Sequence, residues 1–172
     1  MPYSWITSFT GGSTRNSQTG PAGIDFIVGS NALVVTALGR WTVSGNSQSH
    51  YINLSTADVG SSPTTLATVT INTSGLPVGF GYVNLATPFI IYPGRKYSVM
   101  SQEIGAGDFN YNNDTTMSVT ADATWVNSCF LTSGATGVLA ETAGASYGGS
   151  NFLYEIYSNV TGGAPRMTTW SY

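Results

Sequence analysis

The stretch that decides the fold is Leu33 to Ser55, LVVTALGRWTVSGNSQSHYINLS. Its first half, Leu33 to Val43, is rich in β-branched and aromatic residues, which suit a pleated, half-buried surface. Gly45-Asn46-Ser47 breaks the run with residue types that accept turn geometry, and His50 to Leu54 resumes an alternating pattern. The segment reads as two β-strands joined by a turn. In the second strand His50, Ile52 and Leu54 share a face, because strand side chains alternate with a period of two. The single histidine of the chain is thereby placed beside apolar neighbours, where its ring nitrogens need partners. Arg40, across the turn, has the same need. Trp41 has the parity of Leu33 and Val35, which predicts a core tryptophan.

Composition extends this reading to the whole chain. Charged residues make up 8% of the 172, about a third of the usual share of ~25%. The hydrophobic fraction of 41% is not raised, so Ser, Thr, Asn and Gly replace charge on the surface. One Lys and three Glu leave little for solvated helix faces, and 21 Gly favour tight turns. Short strands follow at Trp5–Phe9, Ile24–Val28, Ala67–Ile71, Phe80–Leu85, Lys96–Glu103, Thr116–Trp125, Ser128–Thr132, Val138–Glu141 and Phe152–Tyr157. Nine to eleven such strands, with turns every eight to twelve residues, predict an all-β antiparallel sandwich of jelly-roll-like topology. One domain over residues 1–160 is expected, with 161–172 as a tail or linker.

Several partner classes fall away on charge and hydropathy. A net charge of -3 with five scattered Lys and Arg argues against nucleic acid. No apolar run reaches the ~18 residues needed to cross a membrane as a helix. The lone cysteine, Cys129, excludes an internal disulfide and reads as a small buried hydrophobe. With one His, one Cys and no G-x-S-x-G there is no nucleophilic triad to assemble.

The segments TALGRWTVSGNSQSH (Thr36–His50), YVNLATPFIIYPGRKYSVMSQE (Tyr82–Glu103) and GDFNY (Gly107–Tyr111) carry a family likeness. They resemble a β-sandwich module of bacterial surface and secreted proteins, of the DUF4082 or carbohydrate-binding-module style. The likeness covers about Ser13 to Asn112. It implies the sandwich fold and an extracellular or cell-surface location as part of a larger protein, tethered to a catalytic or surface domain. It also tilts the reading toward a polysaccharide or glycan partner. Phe109-Asn110-Tyr111 departs from the family's Trp-Tyr form.

Three groups of residues carry candidate chemistry. Arg40, Asn46, His50, Gln102, Glu103 and Asp108 combine opposite charges with matched hydrogen-bonding groups. They read as a structural pin between strands, as a ring of contacts to sugar hydroxyls, or, through Glu103 and Asp108, as an acid–base pair. Asp108, Asn110, Asn112 and Asp114 place four oxygen donors at every second residue, like the opening of a calcium loop. Asn113 and Val119 stand where an EF-hand needs Gly and Glu, which leaves a β-loop Ca2+ site or a hydrogen-bonded turn. Tyr111 and Trp125, with Tyr147, Trp170 and Tyr172, lie in or near loops where aromatic faces can stack on pyranose rings. The expectation is a non-catalytic carbohydrate-binding module, with a structural or adhesive spacer domain as the alternative.

Overall fold

A computed structural model describes residues 1–105, 107–112, 114–135, 137–144, 147 and 149–158, with the backbone alone at 133–135. The strands are β1 (Tyr3–Ser4), β2 (Ile6–Thr10), β3 (Thr14–Arg15), β4 (Gly20–Val28), β5 (Leu33–Thr42), β6 (Ser49–Thr56) and β7 (Thr65–Asn72). They continue as β8 (Gly79–Ile91), β9 (Lys96–Glu103), β10 (Asn110–Tyr111), β11 (Thr116–Val119), β12 (Ala123–Ala135), β13 (Leu139–Ala143) and β14 (Ser150–Ile156). A four-stranded sheet, β1-β14-β5-β8, faces a six-stranded one, β13-β12-β4-β9-β6-β7. Two ribbons, β2/β11 and β3/β10, complete the antiparallel sandwich. Consecutive strands cross between the sheets at β4→β5→β6, β7→β8→β9 and β13→β14, the exchange a jelly-roll-like winding requires.

Between the sheets Leu33, Val35, Leu38, Phe152 and Tyr154 meet Ile24, Phe26, Ile52, Leu54 and Val99. Trp5 caps this core, stacked on Phe152 at 5.0 Å, with its indole N–H donated to the Ala123 carbonyl. The chain ends at 159–172, including the expected tail, lie outside the described residues, as does Asn113.

One irregularity in β5 decides which side chains point inward. Leu153 faces Ala37 and Tyr154 faces Val35, so Thr36 is an extra residue on β5. The bulge inverts the parity that Leu33 and Val35 establish. Leu38 and Arg40 therefore point between the sheets, and Trp41 turns to the outer face, half-buried against Phe80 and Phe9. The expectation of a core Trp41 is corrected for this reason.

Other boundaries shift for similarly local reasons. The strand expected over Thr116–Trp125 is two, β11 and β12, separated by a turn whose Asp122 carbonyl accepts the Gly29 amide. β12 then runs unbroken through Ser128–Thr132, absorbing a bulge between Trp125 and Ser128. β8 continues past Leu85 to Ile91 and includes Pro88; it is an edge strand, where a missing N–H leaves no gap in a ladder.

Gly23 marks the tightest approach of β4 to β9. A Cβ there would strike the Val99 carbonyl oxygen and stand 2.7 Å from the Met100 Cα, both backbone atoms that cannot swing aside. Gly23→Ala is expected to cost about 1–3 kcal/mol, as other forced insertions into packed sites do. A lower denaturation midpoint at unchanged m-value is the readout, and an unshifted midpoint would contradict this packing.

Candidate functional site

The bulge at Thr36 delivers Arg40 into the interior, where it spans the two sheets. Its Nη2 donates to Glu103 Oε2 at 2.7 Å, and Nε donates to Ser101 Oγ at 3.1 Å and Glu103 Oε1 at 3.3 Å. The remaining donors go to carbonyls, Nη1 to Trp41 at 3.0 Å and Nη2 to Phe109 at 3.2 Å. Arg40 and Glu103 are both buried. Coulomb attraction is strong in such a medium, and so is the penalty for leaving either charge alone.

His50 continues the cluster from β6. Its Nδ1 lies 2.8 Å from the Gln102 carbonyl and 3.7 Å from Glu103 Oε2, while Nε2 lies 3.1 Å from Asp108 Oδ2. Both ring nitrogens thus face oxygen atoms of the cluster.

Asp108 fastens the loop after β9 onto the ends of β6 and β7. Its carboxylate accepts the Ser47 amide at 2.7 Å, the Gln48 amide at 3.0 Å and the Thr73 hydroxyl at 2.5 Å. Burial acts to raise its pKa, but Thr73, the two amides and His50 together outweigh that and hold it at about 2. Asn46 completes the clasp by pairing with both backbone groups of Phe109: Nδ2 donates to its carbonyl and Oδ1 accepts its N–H, each at 2.9 Å.

Five of the six expected polar residues are thus brought together, and all five are buried. Gln102 differs: its backbone carbonyl serves His50, while its side chain is half-buried on the opposite side of the strand. Beside Glu103, Ser101 and Tyr111 there is a cavity of about 10 Å³. That is room for about one water and not for a sugar ring.

The four residues of the calcium-like spacing have hydrogen-bond partners of their own. Asp108 is committed to the clasp, Asp114 accepts the Ser13 amide, and Asn112 Oδ1 accepts Arg15 Nη1 at 3.2 Å. Asn110 sits in β10 and donates to the Tyr111 carbonyl. Bonding to Ser13 holds Asp114 below the ordinary carboxylate range. These bonds make the segment a hydrogen-bonded, Asx-rich loop. Among the described residues no group of three or more His, Cys, Asp or Glu gathers as a metal site.

The loop aromatics divide as well. Tyr111 is half-buried, its ring 5.6 Å from Phe9 and directly over Gly11. Trp125 packs against the main core with its indole nitrogen buried and unpaired. Tyr147 is half-buried, with Arg15 over its ring. Trp170 and Tyr172 lie outside the described residues. The open aromatic surface is elsewhere: Tyr92, 54% exposed, borders a cleft of about 150 Å³ with Phe89, Leu66 and Tyr97. A second cleft of about 280 Å³, lined by Asp58, Arg95 and Lys96, shares Thr56, Arg95 and Tyr97 with the first.

Sequence reasoning missed Ser101, Thr73 and the amides of Ser47 and Gln48, since nothing marks a Ser or Thr in a strand as a partner of a distant carboxylate. It also missed Asp58 and Arg95, which flank a turn and a loop and carry no motif. No family model matches this chain, and no curated protein is significantly similar to it.

Proposed function

We propose that this chain is a non-catalytic structural module of a secreted or cell-surface bacterial protein, a spacer domain carrying its neighbours. The observation that supports this most is the fate of the Arg40–His50–Glu103–Asp108 cluster. Its charged groups are turned toward one another and toward backbone groups, and they tie sheet to sheet and loop to sheet. Such a network specifies one packing of the two sheets and, among the described residues, commits these groups to one another. It also counts against acid–base chemistry: Asp108, held at about 2, has no proton to give near neutral pH, and Glu103 is clamped by Arg40. The likeness to bacterial surface modules adds the location.

A second reading, glycan binding, is favoured by one observation: exposed Tyr92 beside Phe89, Arg95 and Asp58 supplies a stacking face and charged hydrogen-bonding groups around an open cleft. Affinity electrophoresis against a panel of neutral and acidic polysaccharides separates the two. The spacer reading expects no retardation by any polysaccharide. Retardation that Tyr92→Ala abolishes while the fold is unchanged would overturn it in favour of glycan binding.

A further inference from the structure

The single lysine of the chain is half-buried, at the edge of the larger cleft. Lys96 stands opposite Ile27 in the β4–β9 pair, so it shares a face with Asp25, two residues away on the neighbouring strand. That face is the outer side of the six-stranded sheet, since Ile24, Phe26 and Val28 fill the core on the other side. Lys96 Nζ lies 3.0 Å from Asp25 Oδ2 and contacts Glu141 Oε1 from β13. Asn127 Nδ2 holds the other Glu141 oxygen at 2.7 Å.

One side of the cluster is apolar. Cys129, Met100, Leu131, Leu139 and Ala57 form a small apolar cluster on this same face. The 58–61 turn closes over it through backbone bonds of Gly60 and Ser61 with Leu139. Asp25 is 0% exposed, and the ammonium of Lys96 is the charge set against its carboxyl group. A buried carboxyl group is costly to charge, and this one has a primary amine against it. Burial first, and the adjacent Glu141 second, raise Asp25 to about 7, against the opposing pull of Cys129 and Lys96. Glu141 is held below its ordinary value: burial, which would raise it, is outweighed by Asp25, Lys96 and Asn127. Asp25, fully buried 3.0 Å from the amine, is placed as the electrophile, and Glu141, in contact with the same amine and held by Asn127, as the base.

We infer that Lys96 and Asp25 join in an intramolecular amide bond, with Glu141 as the proton acceptor, locking β9 to β4 covalently. Glu141 carboxylate takes a proton from the Lys96 ammonium, and the freed amine attacks Cγ of the protonated Asp25 carboxyl. The N–C bond forms and the C–OH bond breaks. Of the three ammonium protons, one stays on the amide nitrogen, one leaves with the Asp25 hydroxyl as water, and one ends on Glu141. No oxidant, reductant or co-reactant enters. Burial would lower the Lys96 pKa, but contact with Glu141 and Asp25 raises it, so transfer to Glu141 must precede attack. The inference rests on this cluster alone and stands apart from the spacer reading.

Intact-mass spectrometry of the purified, fully denatured chain tests it. The expected mass is one water below that of the sequence, with a branched peptide joining the Lys96 and Asp25 segments after proteolysis. Lys96→Arg and Glu141→Gln, confirmed as folded by circular dichroism, are expected to show the full sequence mass. An unmodified wild-type mass overturns the inference, and so does a branch at Glu141 in place of Asp25. A branched Glu141→Gln variant overturns the proton-acceptor role.

Discussion

Arg40→Met is expected to lower the unfolding free energy by about 3–5 kcal/mol, the range found when one partner of a buried ion pair is removed. Methionine keeps the apolar stem of the arginine, so the loss is concentrated at its guanidinium end. What it removes is the guanidinium that neutralises Glu103 and bonds Ser101 and the carbonyls of Trp41 and Phe109. Glu103, 4% exposed, then loses its closest partner and keeps only the His50 ring, 3.7 Å away. Urea denaturation followed by tryptophan fluorescence checks this. A loss under about 1 kcal/mol would place the pair among exposed salt bridges, contrary to its burial.

Asp108→Ala is expected to cost a comparable amount, about 3–5 kcal/mol, because it strands several donors at once. The amides of Ser47 and Gln48 and the ring nitrogen of His50 all lose their acceptor, and Thr73 loses one of two. The same residue sets the acid limb of stability. Its pKa is about 2 in the fold against an ordinary 3.8, so the folded state binds its proton later than the unfolded chain does. A depressed carboxylate contributes its full stabilisation above the unfolded value and loses it as pH falls through the folded one. From the two values the contribution is about 2 kcal/mol, lost between about pH 5 and pH 2. Unfolding free energies measured across that window should fall less steeply for Asp108→Ala than for wild type. Parallel curves would assign the acid limb to other carboxylates.

The all-β architecture was legible because alternation and turn residues act locally. Lys96–Glu103 and Leu33–Val43 emerge almost residue for residue as β9 and β5. The grouping of Arg40, His50, Glu103 and Asp108 was legible too, since four charged or titratable groups among apolar neighbours need one another. Whether they face a ligand or the interior was not. That depends on the extra residue at Thr36, a consequence of how β14 pairs with β5, and pairing between strands more than a hundred residues apart leaves no mark in the β5 sequence. The same bulge sent Trp41 outward against its parity. Cys129 proved buried, as its apolar context indicated, and burial foremost pushes its thiol well above the ordinary range. Asp25 was hidden for a different reason: an acidic residue alternating with Ile24 and Phe26 reads as the solvent face of a strand. Only side chains from the far end of the chain, Cys129, Leu139 and Glu141, together with the 58–61 turn, enclose that face.

The central claim is that the polar cluster works on the protein itself, and a double-mutant cycle on Arg40 and Glu103 tests it most directly. Arg40→Met, Glu103→Leu and the double variant are compared with wild type by urea denaturation. The double variant, with neither charge left to bury, is expected to recover most of what either single change loses, a coupling of about 2 kcal/mol or more. Additive losses, with the double variant as unstable as the sum of the singles, would contradict an internal pin and return these residues to the search for a ligand.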